Sequence, residues 1–202
     1  MPLRFKFSII LLAGGSSTRM RGRDKLLEKA GNHSILRTVA EVCCHSQASE
    51  VIAVLPLDRE GRIEALAGLP IKINRTPKTT EGMAGSIRAG LAGASETIEA
   101  AIIVLADMPD VHPDDIDRLA AGYDPLSGIT ICRAASANGV PGHPVLFGRQ
   151  HFADLMDLTG DTGARDILKR HRSSVRLVTT WEDSALTDID TPEDLAAYRA
   201  RK

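Results

Sequence analysis

The sequence has 202 residues, of which 43% are hydrophobic and 25% are charged, and its formal net charge is −1. This length and composition predict one globular domain, residues 1–202, and the near-neutral charge gives no indication of a nucleic-acid partner. No apolar run is long enough for a signal peptide or a membrane span, so we expect a cytoplasmic protein with no membrane partner.

Buried-strand and amphipathic-helix patterns alternate along the chain, which predicts βαβ units and a mostly parallel sheet with helices on both faces. The most apolar run, 101–106, is the predicted central strand, and the helix 58–66 is predicted to face the core with Ile63, Leu66 and Ala67. The predicted strands are 9–12, 51–55, 71–74, 101–106, 128–133, 142–147 and 175–179. The predicted helices are 34–46, 58–66, 83–91, 113–121, 151–158, 164–171 and one that begins at 192.

A glycine- and hydroxyl-rich turn follows the first predicted strand. It contains Gly14, Gly15 and Ser16, and it leads to a series of cationic residues that includes Arg19 and Lys25. Glycine lets backbone N–H groups approach a phosphate closely, and the cations can neutralise a triphosphate. The spacing is neither that of a P-loop nor that of the dinucleotide fingerprint. The turn therefore predicts a nucleotide site of another kind, and a strand-to-helix turn with a solvated basic face is the alternative.

Gly82 and Gly85 lie in the first turn of the helix predicted over 83–91, although glycine is a poor helix former. A ligand that lies across the helix N-terminus would explain them, because free N–H groups and the helix dipole favour an anionic or acceptor-rich group there. Simple helix initiation after a flexible loop is the alternative.

Asp107 follows the predicted central strand. The carboxyl ends of such strands border the crevice where α/β sheets bind ligands, and Mg²⁺ prefers carboxylate and phosphate oxygens. Asp107 is therefore a candidate magnesium ligand, and capping of the next turn is the alternative. The other aspartates around the following helix are interpreted mostly as solvated helix-start charges; they are Asp110, Asp114, Asp115 and Asp117.

The segment before the last predicted helix carries two further carboxylates. Thr191 is a natural N-cap, Pro192 a natural first helical residue, and Asp194 stands in the capping-box position. Asp188 and Asp190 alternate along an extended stretch, which places both carboxylates on one face.

Five motifs follow one another in order over nearly the whole chain. They are L-A-G-G from Leu12, the glycine–serine segment 82–86, D-M-P from Asp107, G-H-P with G-D-x-G-A-R between 142 and 165, and D-I-D-T-P-E-D from Asp188. This set resembles the MobA-like nucleotidyltransferases, which transfer a nucleoside monophosphate from an NTP to a phosphorylated acceptor and release pyrophosphate. The fourth motif pair resembles the molybdenum cofactor cytidylyltransferase branch.

The resemblance implies a three-layer α/β/α Rossmann-like domain with a mainly parallel sheet. Its first half, about residues 1–110, is expected to bind the nucleotide, and its second half, about 111–202, to bind molybdopterin. Mg²⁺ is the implied cofactor, and a molybdoenzyme or its chaperone is compatible with the resemblance as a partner.

The resemblance also implies four groups of site residues. The catalytic residues are Arg19, Lys25 and Asp107. The nucleotide-binding residues are Leu12, Ala13, Gly14, Gly15, Ser16, Lys25, Gly82, Gly85 and Ser86. The magnesium ligands are Asp107 and Asp190, with Asp188 as the second choice after Asp190. The acceptor-binding residues are His143, Asp161 and Arg165; from the residues alone, His143 fits a purely structural role equally well.

Alternatives to cytidylyl transfer remain. The first loop is of the L-A-G-G type found in the guanylyl branch, whereas the downstream motifs are of the cytidylyl type. CTP is favoured because those motifs are more numerous, and GTP is the second choice. A sugar or another small phosphate is a third acceptor class. A nucleotide- or cofactor-binding insertion chaperone without turnover is the non-enzymatic alternative, but it would have no need of Arg19, Lys25 and Asp107 together.

Overall fold

The sheet that organises the molecule has seven strands within the part of the chain that the computed structural model describes, residues 3, 5–77, 82–160 and 163–201. The described strands are β1 (Phe7–Leu12), β2 (Lys29–Ala30), β3 (His33–Ser34), β4 (Glu50–Pro56), β5 (Lys72–Thr76), β6 (Ala100–Leu105), β7 (Ile131–Ala135), β8 (Pro141–Gly148) and β9 (Val175–Thr179). The described α-helices are α1 (Ile35–His45), α2 (Glu60–Ala65), α3 (Gly82–Ala92), α4 (Pro113–Gly122), α5 (Phe152–Met156), α6 (Arg165–Arg170) and α7 (Pro192–Arg201).

The strand order in the sheet is β5-β4-β1-β6-β8-β7-β9, and β2 and β3 form a separate small ribbon. Every pairing in the sheet is parallel except those of β8, which runs antiparallel to both β6 and β7. The predicted mainly parallel sheet is thus confirmed, and β6 is its central strand as expected. Because β8 runs backwards, its first residues lie at the edge where the parallel strands end, and these include His143.

Helices cover both faces of the sheet, as the alternating patterns predict. On one face, Ile9 and Leu11 of β1 pack in a core with apolar side chains of α1, α4 and α7. On the other face, Ile10 and Leu12 pack in a second core with side chains of α3, α5 and α6. All six residues of β1 are buried, which explains the unbroken apolar run from Ile9 to Leu12. The structure is therefore an α/β Rossmann-like fold of three layers.

Two charged side chains lie inside the protein where the sequence suggested otherwise. In α2, Leu66 at the C-cap is buried as predicted, but Ala67 is exposed and Arg62 is the fully buried residue of the helix. Among the four aspartates around α4, for most of which the sequence predicts a solvated charge, Asp115 is an exception: it is fully buried and accepts hydrogen bonds from the Trp181 N–H (2.8 Å) and the Ser184 hydroxyl (3.0 Å). Burial of such charges is tolerated because they are hydrogen-bonded.

Three further observations concern one helix end, the cysteine thiols and membrane spans. The predicted cap of α7 is confirmed, because the Asp194 N–H donates to Thr191 Oγ1 (3.1 Å) and the Thr191 N–H donates to Asp194 Oδ2 (2.8 Å). Cys43, Cys44 and Cys132 are free thiols. Over the described part of the chain, no helix has the length and apolarity that crossing a membrane requires.

Candidate active site

Four charged residues from the predicted motifs meet at the carboxyl ends of β1 and β6. The Lys25 ammonium nitrogen lies 2.7 Å from Asp107 Oδ2 and 2.7 Å from Asp190 Oδ1. The Arg19 guanidinium lies 2.6 Å from Asp190 Oδ2. The Lys25 side chain is only 9% exposed, whereas that of Arg19 is 70% exposed. The fold thus places an enclosed cation between two carboxylates, with a second cation at the surface beside them.

Charge in this cluster is predominantly negative. Burial lowers the pKa of Lys25, but Asp107 and Asp190 outweigh this effect, so its pKa is raised and its ammonium group stays protonated. Burial raises the pKa of Asp188, and the neighbouring carboxylates of Asp190 and Asp107 raise it further. Asp107 and Asp190 therefore flank one buried lysine, and Asp188 is near enough to feel the charge of both carboxylates.

One carboxylate oxygen of this cluster has no hydrogen-bond partner among the described residues. Asp107 Oδ1 is buried and accepts no hydrogen bond from any described residue. A buried, unpaired anionic oxygen is costly, and it suits a ligand that brings positive charge. With Asp188 and Asp190 nearby, the donor set is the all-oxygen set that Mg²⁺ prefers.

Some backbone groups at the glycine turn after β1 are hydrogen-bonded to neighbouring strands, whereas others have no partner among the described residues. The Ala13 N–H donates to the Val54 carbonyl (3.1 Å), and the Leu12 carbonyl accepts from the Ala106 N–H (3.1 Å). By contrast, the N–H groups of residues 14–16 donate to no described residue. Three successive N–H groups are therefore available for phosphate oxygens, while the Ala13 N–H is not.

The second glycine segment lies against the first. Gly82 begins α3 with a φ of 50°, and the Ser86 hydroxyl donates weakly to its carbonyl (3.4 Å). A Cβ atom on Gly14 would stand 2.9 Å from Ser86 Oγ, so only glycine fits there without displacement of the serine. The turn after β1 and the first turn of α3, which also holds Gly85, thus form one continuous surface.

A cavity of about 340 Å³ adjoins the charged cluster. His143, Arg165 and Asp188 line it together, so the structure brings two of the predicted acceptor residues beside a predicted metal ligand. Asp161, the third predicted acceptor residue, lies outside the described residues. The apolar part of the wall includes Ile87, Ile103, Leu105, Val145, Phe147 and Leu168.

His143 is the polar group of this cavity that is most fully withdrawn from water. Its Nδ1 atom is buried and has no hydrogen-bond partner among the described residues. Burial lowers the pKa of His143 to about 4, the Arg133 charge contributes in the same direction, and Asp107 opposes them. The imidazole is therefore neutral at neutral pH and can offer one donor and one acceptor to a ligand.

Arg133 also lines the cavity, and no motif predicted it. It lies in β7, and its Nε donates to the Gly142 carbonyl (3.0 Å). Burial and the nearby Arg165 charge both lower the pKa of Arg133. The cavity therefore has two arginines, which suits an anionic ligand. A single arginine in an apolar strand is normally interpreted as a solvent-facing residue. Its position in the predicted strand was therefore the only feature of the sequence that could have pointed to a place in the site.

A second group of possible metal ligands lies at the opposite edge of the sheet. The ligand atoms of His151, Asp154 and His171 lie within 4.8 Å of one another. Asp154 is already paired with His171 (3.0 Å) and Arg170 (3.1 Å), and His151 Nε2 lies 2.7 Å from Thr130 Oγ1. These pairings account for the group without an ion.

Comparison with known proteins identifies similar chains. Residues 9–175 match the family model described as the MobA-like NTP transferase domain. The molybdenum cofactor guanylyltransferase of Mesorhizobium japonicum is 30% identical over 205 residues, which cover 93% of this chain and 91% of the relative. The nicotine blue oxidoreductase of Paenarthrobacter nicotinovorans is 29% identical over 194 residues, which cover 92% and 93%.

Solved structures show the same architecture. The Mycobacterium tuberculosis Rv0371c homologue from Mycobacterium sp. strain JC1 superimposes with a TM-score of 0.85 at 26% identity, over 97% of this chain and 98% of that one. Rv0371c of M. tuberculosis, solved in complex with manganese, superimposes with a TM-score of 0.79 at 22% identity, over 98% and 100%.

Proposed function

Because the chain belongs to the MobA-like NTP transferase family, we propose that it moves CMP from CTP to molybdopterin and releases pyrophosphate. Its broader class, a nucleotidyltransferase, follows from the family. The observation that carries the proposal is the Lys25 ammonium group, 2.7 Å from carboxylate oxygens of both Asp107 and Asp190. It lies between the two parts of the proposed site, the glycine turn for the nucleotide and the cavity for the acceptor.

The proposed reaction is an in-line displacement at the α-phosphorus of the NTP. A terminal phosphate oxygen of the acceptor forms the new P–O bond, and the bond to pyrophosphate breaks, so that pyrophosphate leaves with the electron pair. Backbone N–H groups of residues 14–16 hold phosphate oxygens, and Arg19 and Lys25 stabilise the charge on pyrophosphate. Positioning and electrostatics carry this step, so no covalent enzyme intermediate is needed.

The carboxylates of Asp107 and Asp190, with Asp188 as the alternative to Asp190, would hold Mg²⁺. The unpaired Oδ1 of Asp107 supports this assignment, because it is an anionic oxygen that no described residue satisfies. When bound, the ion neutralises phosphate charge. Lys25 remains protonated because its pKa is raised, and it therefore contributes charge and does not act as a base.

The acceptor would occupy the cavity beside this cluster. Its apolar wall suits a fused heterocycle, and Arg133 and Arg165 suit a phosphate. The neutral imidazole of His143 would offer a hydrogen bond to an uncharged polar group of the heterocycle. We infer from this arrangement that the second half of the chain, about 111–202, binds the acceptor and the first half the nucleotide.

GTP is the second candidate donor. The L-A-G-G loop is of guanylyl type, and the M. japonicum relative at 30% identity is named a guanylyltransferase. We keep CTP first because the G-H-P and G-D-x-G-A-R segments, which contribute His143 and Arg165 to the cavity, are of cytidylyl type.

The test is pyrophosphate release from CTP, GTP, UTP or ATP, each with Mg²⁺ and with molybdopterin as acceptor. We expect release with CTP only, and loss of release in Asp107→Ala. Asp114→Ala is the matched control, because Asp114 is exposed and its ion pair is with His112 (3.9 Å), not with a residue of the cluster.

Other outcomes would contradict parts of the proposal. Release with GTP alone would reassign the donor, and release only with a sugar phosphate would reassign the acceptor. Binding of an NTP without release under any condition would favour the insertion chaperone. Unimpaired release in Asp107→Ala would remove Asp107 from the catalytic site.

A further inference from the structure

The fully buried Arg62 of α2 has its hydrogen bonds directed at the glycine turn. Its Nη1 donates to the Ala13 carbonyl, and its Nη2 donates to the Gly15 carbonyl (2.8 Å). Its Nε and Nη2 also form a two-pronged pair with Asp24, at 2.8 Å each. Arg62 is 0% exposed, so a complete charge has been taken out of water to reach these groups.

These contacts fix the direction of the N–H groups of Gly14 and Ser16. The peptide bonds after Ala13 and Gly15 are trans, since the cis bond among the described residues is at His143–Pro144. In a trans peptide the C=O and N–H groups point in opposite directions. Because Arg62 draws the carbonyls of Ala13 and Gly15 inward, the N–H groups of Gly14 and Ser16 point outward, where a phosphate would lie.

The same arginine also fixes the far end of the turn. Asp24 accepts from the Leu26 N–H (3.1 Å) and from the Ser17 hydroxyl (3.4 Å), and Ser17 Oγ accepts from the Lys25 N–H (3.2 Å). Arg62 therefore connects, through Asp24 and Ser17, to the backbone of the lysine that lies between the carboxylates of Asp107 and Asp190.

We propose that Arg62 is a positioning residue for the triphosphate: paired with Asp24, it holds the N–H groups of Gly14 and Ser16 and the backbone of Lys25 in the orientation that binds phosphate. This inference rests on the proposed nucleotide site. Arg62 touches no substrate in this proposal and acts through the turn.

The test separates this role from a merely structural one. Arg62→Met alone leaves Asp24 buried without its main partner and is expected to unfold the protein in part. The double variant Arg62→Met/Asp24→Asn removes both charges, while the introduced amide oxygen can still accept from the Leu26 N–H. Arg62→Lys keeps the charge but loses the two-pronged geometry. Arg37→Met is the matched control, because Arg37 also bonds two backbone carbonyls and one carboxylate, all of them outside the turn.

The dissociation constants of CTP and GTP with Mg²⁺ are measured by calorimetry for each variant. We expect both Arg62→Lys and the double variant to raise the constant for the preferred nucleotide about tenfold or more, since small displacements of binding groups are costly. The control should match the unmodified protein. A folded double variant with unchanged affinity would overturn the proposal.

Hydrogen exchange of residues 13–25 without nucleotide distinguishes the two possible failures. Faster exchange in the double variant than in Arg37→Met is expected, because the turn has lost its inner contacts. If the unmodified protein bound no NTP, the proposed function would fail, and faster exchange would still support the role of Arg62 in ordering the turn. Equal exchange in both variants would overturn that role.

Discussion

Gly14 and Ser86 touch so closely that a Cβ atom on Gly14 would stand 2.9 Å from Ser86 Oγ. The contact joins the turn after β1 to the first turn of α3, and both are parts of the proposed nucleotide site. This contact limits how closely the two segments can approach. The side-chain volume at positions 14 and 86 should therefore affect both the free energy of unfolding and the affinity for the nucleotide.

Gly14→Ala is expected to lower the free energy of unfolding by about 1–3 kcal/mol, because the added methyl group overpacks the contact. Ser86→Ala in the same chain should restore most of that loss, since it removes the oxygen that clashes. Urea denaturation of both single variants and the double variant measures this coupling. Gly61→Ala is the control, because its Cβ would meet only a terminal methyl group of Leu27. Additive effects in the double variant would contradict the contact.

Arg133→Met should weaken acceptor binding without changing nucleotide binding. The arginine lines the cavity, and its hydrogen bonds go to the Gly142 and Pro141 carbonyls of β8, away from the glycine turn. Loss of a charged hydrogen bond to an acceptor phosphate should raise the acceptor KM about tenfold or more. The dissociation constant of the NTP, measured by calorimetry, should stay the same. Arg176→Met is the control, since Arg176 lies on β9 and donates to the Gly122 carbonyl. An equal loss of affinity for the acceptor and for the NTP would contradict the assignment of Arg133 to acceptor binding alone.

Stability should fall as the pH falls below 6.5 because of His143. Its folded pKa is about 4, whereas the ordinary value is 6.5, so between these values the unfolded chain binds the extra proton. The free energy of unfolding should therefore decrease by about 2 kcal/mol between pH 7 and pH 5 from this residue. Urea denaturation of the unmodified protein and of His143→Gln at both pH values measures the difference. The same pH dependence in both proteins would contradict the buried, neutral imidazole.

Asp115→Ala should destabilise the protein by about 3 kcal/mol, because it leaves the buried Ser184 hydroxyl and the part-buried Trp181 N–H without this acceptor. The segment it holds continues to Ala185, whose carbonyl accepts from the His143 N–H (3.0 Å) and which lines the cavity. We therefore also expect a higher acceptor KM. Thermal denaturation and Trp181 fluorescence measure the first effect. Asp114→Ala, on the exposed side of α4, should change stability by less than about 0.5 kcal/mol, and equal losses in the two variants would contradict the prediction.

Local pattern was sufficient for the layers of this fold and for part of the site. The apolar run at β6 indicated the centre of the sheet, and the family resemblance implied that Lys25, Asp107 and Asp190 belong to one site; in the structure the three side chains are in contact. Their individual roles in binding and catalysis stay predictions.

Long-range features could not be predicted in the same way. The direction of β8 depends on how the chain returns to the sheet, and hydrophobic periodicity carries no information about direction, yet this direction brings His143 to the site. Arg62 and Asp115 are buried because partners distant in sequence satisfy them, whereas a charged residue considered alone is expected at the surface. Their burial becomes evident only when the tertiary contacts are known.

Helix α3 lies so close to β1 that a Cβ atom on Gly90 would collide with the Ile10 side chain. The same helix contacts Gly14 through Ser86 and the turn before α6 through Met83, against which a Cβ on Gly163 would stand 2.9 Å from the sulfur. This one helix, packed directly on the sheet, thus separates the proposed nucleotide side from the proposed acceptor side. We therefore expect the depth of α3 to set the distance between the two proposed substrates, so that changes in the cavity wall would allow a different acceptor while that distance is kept.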